Sequence, residues 1–177
     1  MSEEQSDAAA GSAEAGEREF AIQKVYLKDV SFESPQAPEV FLREWRPEVS
    51  MELGTQAEPV GEDVYEVVLT VTVTAKEGEA AGYLAEAKQA GLFSAKGFSR
   101  DQLGHLLGSY CPSILFPFAR EAIADLVAKG GFPQVLLAPV NFDALYTQHM
   151  EERRRAQPAS DDAPDAAGGA QVWRPGS

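Results

Sequence analysis

The apolar residues of this chain keep a period of two as far as about residue 94 and change to helical spacing from about residue 99. That change of period constrains the fold more than any motif does. Strands come as one run and helices as another, the order expected of an α+β domain rather than of strands alternating with helices.

Four strand-like segments make up the first run. Phe20 to Phe32 alternates, which predicts Phe20, Ile22, Tyr26, Val30 and Phe32 on one face and Gln23, Asp29 and Glu33 on the other. A loop follows, punctuated by Ser34-Pro35 and Ala37-Pro38, and carries two large aromatics, Phe41 and Trp45, through an otherwise polar crossover. A weaker strand is expected over roughly Pro47 to Gly54. The clearest one runs from Val64 to Ala75, with Tyr65, Val67, Leu69, Val71 and Val73 opposing Glu66, Thr70, Thr72 and Thr74. Lys76-Glu77-Gly78-Glu79 reads as a turn into a fourth strand, Tyr83 to Ser94. So short a connection makes that last pair antiparallel.

In the second run, Ser99-Arg100-Asp101-Gln102 fits a capping box. Leu103, Leu106, Leu107 and Tyr110 then form an apolar stripe. Pro112 and Pro117 are expected to kink or restart the helix. Beyond them Leu115, Phe118, Ala119, Ala122, Ile123 and Leu126 recur at helical spacing up to Lys129, where Gly130-Gly131 supplies the stop. Asn141 can cap a final helix bearing Phe142, Leu145, Tyr146 and Met150.

Outside these segments the composition changes. Residues 1–18 and 156–177 are rich in Ala, Gly, Ser and acid and have almost nothing to bury, which predicts two disordered tails around a folded unit at 19–155. The N-terminus has neither the basic start nor the apolar stretch of a signal peptide. The chain of 177 residues holds 28 Asp+Glu against 15 Lys+Arg, a formal charge of −13. That balance argues against binding nucleic acid or an anionic membrane surface, both of which call for clustered cations. Cys111 is the lone cysteine, so neither an internal disulfide nor a cysteine-based zinc site can form, and a reducing, cytosolic setting is expected.

Catalytic chemistry is thinly represented. Gly91 to Gly97 lacks the spacing and the Lys-Ser/Thr end of a phosphate loop. His105 and His149 fall on different helices without metal-pair spacing, and Cys111 sits in an apolar stretch that suits a buried, inert thiol. No spacing of carboxylates singles out an acid/base pair, so no cofactor, metal or catalytic residue is expected. The aromatics are more informative: Phe41, Trp45, Phe93, Phe98, Phe116, Phe118 and Phe132 crowd beside Gly and Pro. They read either as a core sealed by rings or as apolar surface kept for a partner, with Phe41 and Trp45 the best candidates for the second.

Several stretches together resemble the SecB family of bacterial protein-export chaperones. They are Ile22 to Glu33, the Pro35 to Pro38 loop, Trp45-Arg46-Pro47-Glu48-Val49, Asp63 to Leu69, Tyr110 to Glu121 and Phe132 to Leu145, in this order from about Phe20 to Met150. The resemblance implies a four-stranded antiparallel sheet with long helices packed on one face, assembled as a homotetramer that is a dimer of dimers. It implies an ATP-independent chaperone that holds unfolded precursor proteins in the cytosol and delivers them to SecA, the motor at the membrane channel. A SecB-like chaperone dedicated to one client, such as an antitoxin, is the alternative it leaves open. The family's SecA-docking patch maps onto Asp29, Glu33, Leu84 and Glu86, which without the resemblance would read as a solvated sheet face. The family's client groove maps onto Phe41 and Trp45 in the crossover and, less directly, onto Phe116 and Phe118. The acidic N-terminal extension and the tail ending near Trp173-Arg174 depart from the commoner family pattern.

Overall fold

A computed structural model of the chain describes residues 17–156. The tails expected to be disordered lie outside the described residues, apart from residues 17, 18 and 156. Four strands, β1 (Glu19–Glu33), β2 (Glu48–Gly61), β3 (Val64–Glu77) and β4 (Ala80–Lys96), form one sheet in the order β1-β4-β3-β2, every pair antiparallel. The fold class read from the change of period is therefore the observed one.

Two strands differ from expectation. β2 runs seven residues beyond Gly54, because its outer half is held by main-chain pairing to β3 rather than by apolar alternation. Pro59 is tolerated there since β2 is an edge strand, whose unpaired side needs no amide. In β1 the register slips between Ile22 and Lys24 and again between Leu27 and Asp29. Each bulge exchanges the two faces. The inward set is therefore Phe20, Ile22, Val25, Leu27, Val30 and Phe32, each opposite an inward residue of β4. Tyr26, expected beside Phe20, points to the outer face instead, where its hydroxyl donates to Glu66.

The helical half begins with the expected capping box: Ser99 Oγ accepts from the Gln102 amide, and Gln102 Oε1 from the Ser99 amide. Helix α1 (Arg100–His105) passes through a π-helical turn (Leu106–Tyr110) into α2 (Cys111–Lys129) without a break. The widened turn lies directly before Pro112, whose ring nitrogen has no hydrogen to give the preceding turn, and a π-helical turn is where a helix absorbs such a break in its ladder. Pro117 sits inside α2, and of the two outcomes expected for it the helix shows no restart there. Cys111, Leu115, Ala119, Ile123 and Val127, spaced by four and fully buried, form the stripe that lies on the sheet. Phe118 falls off that stripe and is half exposed. Facing the stripe are Val67, Leu69, Val71, Val73 and Ala75 of β3 with Ala85, Ala87 and Phe93 of β4. Burial of this kind is worth about 25 cal/mol per Å² of apolar surface.

Gly131, at φ +85°, ends the helix and turns Phe132 back into the core. Helix α3 (Phe142–Ala156) is capped by Asn141, whose Oδ1 accepts from the Ala144 amide at 3.0 Å. It packs mainly on the π-helical turn, with His105 and Gly104 of α1 against Asp143 and Tyr146, so α2 is the long helix on the sheet.

Candidate interaction surfaces

Three places concentrate side-chain chemistry: the outer sheet face, an aromatic cluster at one end of the sheet, and the cleft where α3 meets the π-helical turn.

On the outer face, Glu33 lies directly across the ladder from Leu84, Ser31 from Glu86, and Asp29 from Lys88. The four residues assigned to docking by resemblance thus occupy adjacent rungs on one side of β1 and β4. From Asp29 to Glu33 the patch spans about 13 Å, four residues of strand. Lys88, which the sequence reading passed over, sits within it. Its ammonium lies 3.6 Å from Asp29 Oδ2 and 3.7 Å from Glu86 Oε1. The signal was available, since position 88 shares the parity of Leu84 and Glu86. Thr72 of β3 donates to Glu86 Oε2 at 2.9 Å, which orients that carboxylate. Further along the face Glu66 accepts from Lys28 at 2.7 and 2.9 Å and from Tyr26. The Lys28 hydrogen bond, followed by that from Tyr26, lowers the Glu66 carboxyl. In return the phenol of Tyr26 is pushed up to about 12, chiefly by its hydrogen bond to Glu66.

The aromatic cluster is built around Phe132, with ring centroids 5.0 Å from Phe41, 5.0 Å from Trp45, 4.9 Å from Tyr83 and 6.2 Å from Phe32. Four segments distant in sequence supply the five rings, the crossover giving two of them. Phe41 and Trp45 therefore stand together, as their shared loop suggested. Their neighbours Phe32 and Tyr83 read from the sequence only as strand residues, because contacts between segments leave no local period. Trp45 lies flat against Gly82, where a Cβ would come within 2.3 Å of its ring, so only glycine admits it. The outer rim stays open: Phe41 is half exposed and Leu42, next to it, is 83% exposed.

Phe116 and Phe118 do not join this cluster. Phe116 is buried in the core, edge-on to Phe142 at 5.7 Å, and Phe118 lies off the stripe, half exposed. Both belong to the first half of α2, whereas the cluster gathers beyond its C-terminal end.

In the cleft, of about 540 Å³, His105, Ser109 and Asp143 meet. These are the residue types of a hydrolytic triad, but the wiring differs. His105 Nε2 lies 2.8 Å from Asp143 Oδ1, and Ser109 donates to that same oxygen. The histidine does not stand between serine and carboxylate, so it cannot take a proton from the hydroxyl. The arrangement pins the start of α3 instead. Cys111 is fully buried, and burial pushes its thiol up to about 12, away from nucleophilic thiolate. Among the described residues no cluster of three or more His, Cys, Asp or Glu could hold a metal ion. No helix among them is long and apolar enough to cross a membrane.

Residues 13–153 match the family model described as SecB, preprotein translocase subunit SecB. The chain is 54% identical over 168 residues to the Protein-export protein SecB of Halorhodospira halophila, covering 94% of this chain and 96% of that protein. It is 55% identical over 150 residues to its namesake in Thioalkalivibrio sulfidiphilus, covering 84% and 89%. Among solved structures it resembles the SecB-like chaperone of Mycobacterium tuberculosis in complex with a peptide from the HigA1 antitoxin. There the TM-score is 0.52 at 17% identity, over 68% of this chain and 87% of that one, a likeness of fold.

Proposed function

The chain belongs to the SecB family, the protein-export chaperones of preprotein translocation, and from that premise we propose how its surfaces divide the work. The outer sheet face docks SecA through Asp29, Glu33, Leu84 and Glu86. The crossover segment with Phe41 and Trp45 holds unfolded precursor chains in the cytosol. The observation that carries the first assignment is the placement of all four docking residues on neighbouring rungs of one ladder. A flat carboxylate-bearing face suits a cationic partner, because complementary charge raises the encounter rate and fixes register.

Client holding rests on the open rim of the aromatic cluster. An unfolded chain offers apolar side chains and unpaired main-chain groups, and exposed rings beside a loop meet the first need without demanding a sequence. Binding energy alone keeps the client from folding, so no nucleotide is required. Phe116, being core, contributes through stability rather than contact, and Phe118 through whatever covers its helix face. The inner face of β1 leaves Ile22 49%, Leu27 48% and Val30 40% exposed, apolar surface that supports assembly into a homotetramer.

Glu86→Lys tests the docking assignment. SecA affinity, measured by titration, is expected to fall about tenfold through like-charge repulsion, while suppression of client aggregation without ATP persists. An unchanged SecA affinity in a folded variant would refute the site.

A further inference from the structure

The crossover segment is tied down at its polar edge by one side chain that neither the family signature nor the docking reading uses. Glu77, the last residue of β3, accepts from the guanidinium of Arg43 through Oε2 and from the backbone amide of Arg46 through Oε1 at 3.3 Å. Arg43 in turn donates to Gln36 Oε1 at 3.2 Å, closing the base of the segment. Trp45 lies between the two residues whose groups meet Glu77, and it rests on Gly82, five residues further along the same hairpin. Val40 is buried and Ser34 Oγ donates to the Gly82 carbonyl at 3.0 Å, so the segment is pinned at its start, its middle and its end. Of these anchors, only the Glu77 clasp depends on charge.

We infer that Glu77 is a positioning residue for client binding: by clasping Arg43 and the Arg46 amide it holds the 36–46 segment against the β3–β4 hairpin, with Phe41 and Leu42 presented outward. The inference rests on the reading of Phe41 and Trp45 as client contacts. Its consequence is distinctive. The Arg43 and Glu77 side chains are 46% and 34% exposed, so salt screens the clasp. Holding of an uncharged apolar client therefore acquires a salt dependence that no charge on the client explains.

The experiment uses the full chain and a fluorescent peptide of aromatic and aliphatic residues without charged side chains, titrated at low and high NaCl. Glu77→Ala is expected to weaken binding about threefold to tenfold at low salt, a range corresponding to partial loss of a preordered surface. The difference from the parent chain shrinks at high salt, and Glu77→Asp recovers part of it. Arg43→Ala has a similar effect, and the loss in the double variant falls short of the sum of the two single losses, as expected where one contact is shared. Equal affinities of Glu77→Ala and the parent at every salt concentration, with Phe41→Ala and Trp45→Ala weakened, overturn the positioning role and leave the client reading standing. If Phe41→Ala and Trp45→Ala also bind as the parent does, the client reading falls with it.

Discussion

Tyr26 shows how one residue changes meaning when its strand acquires a bulge. By alternation it belongs with Phe20 in the core; in the sheet it faces outward and gives its hydroxyl to Glu66, beside Lys28. The pair binds protons differently from free side chains. Glu66 is lowered, so what it contributes is present above the ordinary carboxylate range and lost as pH falls through its depressed value. Tyr26 is raised from 10.0 to about 12, so its contribution is complete below 10.0 and lost as pH climbs towards 12. Ultraviolet titration of tyrosinate, read as the difference between the parent and Tyr26→Phe, is expected to place this phenol near 12. Glu66→Gln should bring it back towards the ordinary value. A phenol that titrates normally in the parent would show that the contact does not persist in solution. The residues proposed for docking were more legible: Asp29 and Glu33 lie beyond both bulges, so their shared parity survived.

Among the elements, α3 is the one whose attachment depends on a few contacts. Its first turn is pinned through Asp143, held low by the Ser109 hydroxyl first and by His105 after it. One turn on, Tyr146 lies over Gly104 and Gly108 and stands edge-on to His105 at 5.3 Å. A Cβ on Gly108 would come within 2.6 Å of the Tyr146 ring. Gly108→Ala is thus expected to cost about 1–3 kcal/mol of α3 docking through overpacking. Faster amide exchange confined to α3 would register this, with the β3 and β4 amides unchanged. Unaltered exchange would mean that α3 is held by something other than this contact. Acid should loosen the same helix, because a lowered carboxyl gives its stabilisation up as pH falls through its depressed value. The sequence showed the helix and its Asn141 cap, both local features. It could not show the seat, which needs a glycine in α1, another in the π-helical turn and a tyrosine on α3.

For the whole molecule, the open question of surface is the inner face of β1. Helix α2 covers β3 and β4, and its reach stops short of the edge strand, leaving Ile22, Leu27 and Val30 half in water. The two bulges and two lysines of β1 guard its edge against unspecific pairing, while that apolar face suits a specific partner. With homotetramer assembly as the proposal, light scattering is expected to give a four-chain mass. Leu27→Lys with Val30→Lys should reduce it to a smaller species, and a monomeric parent would defeat the proposal.

The sequence by itself determined the order of elements, the α+β class, the antiparallel pairing of β3 with β4, the caps at Ser99 and Asn141, and the sharing of one strand face by Asp29 with Glu33 and by Leu84 with Glu86. All of these are written in spacing, which needs no knowledge of what lies across the molecule. Only the tertiary structure decided which way Tyr26 faces, that Phe116 is core while Phe41 is rim, that Pro117 leaves its helix whole, and that Glu77 clasps the crossover. The physical reason is the same in each case. A bulge, a ring cluster or an ion pair between distant segments is settled by the register and approach of other elements, and local periodicity carries no record of either.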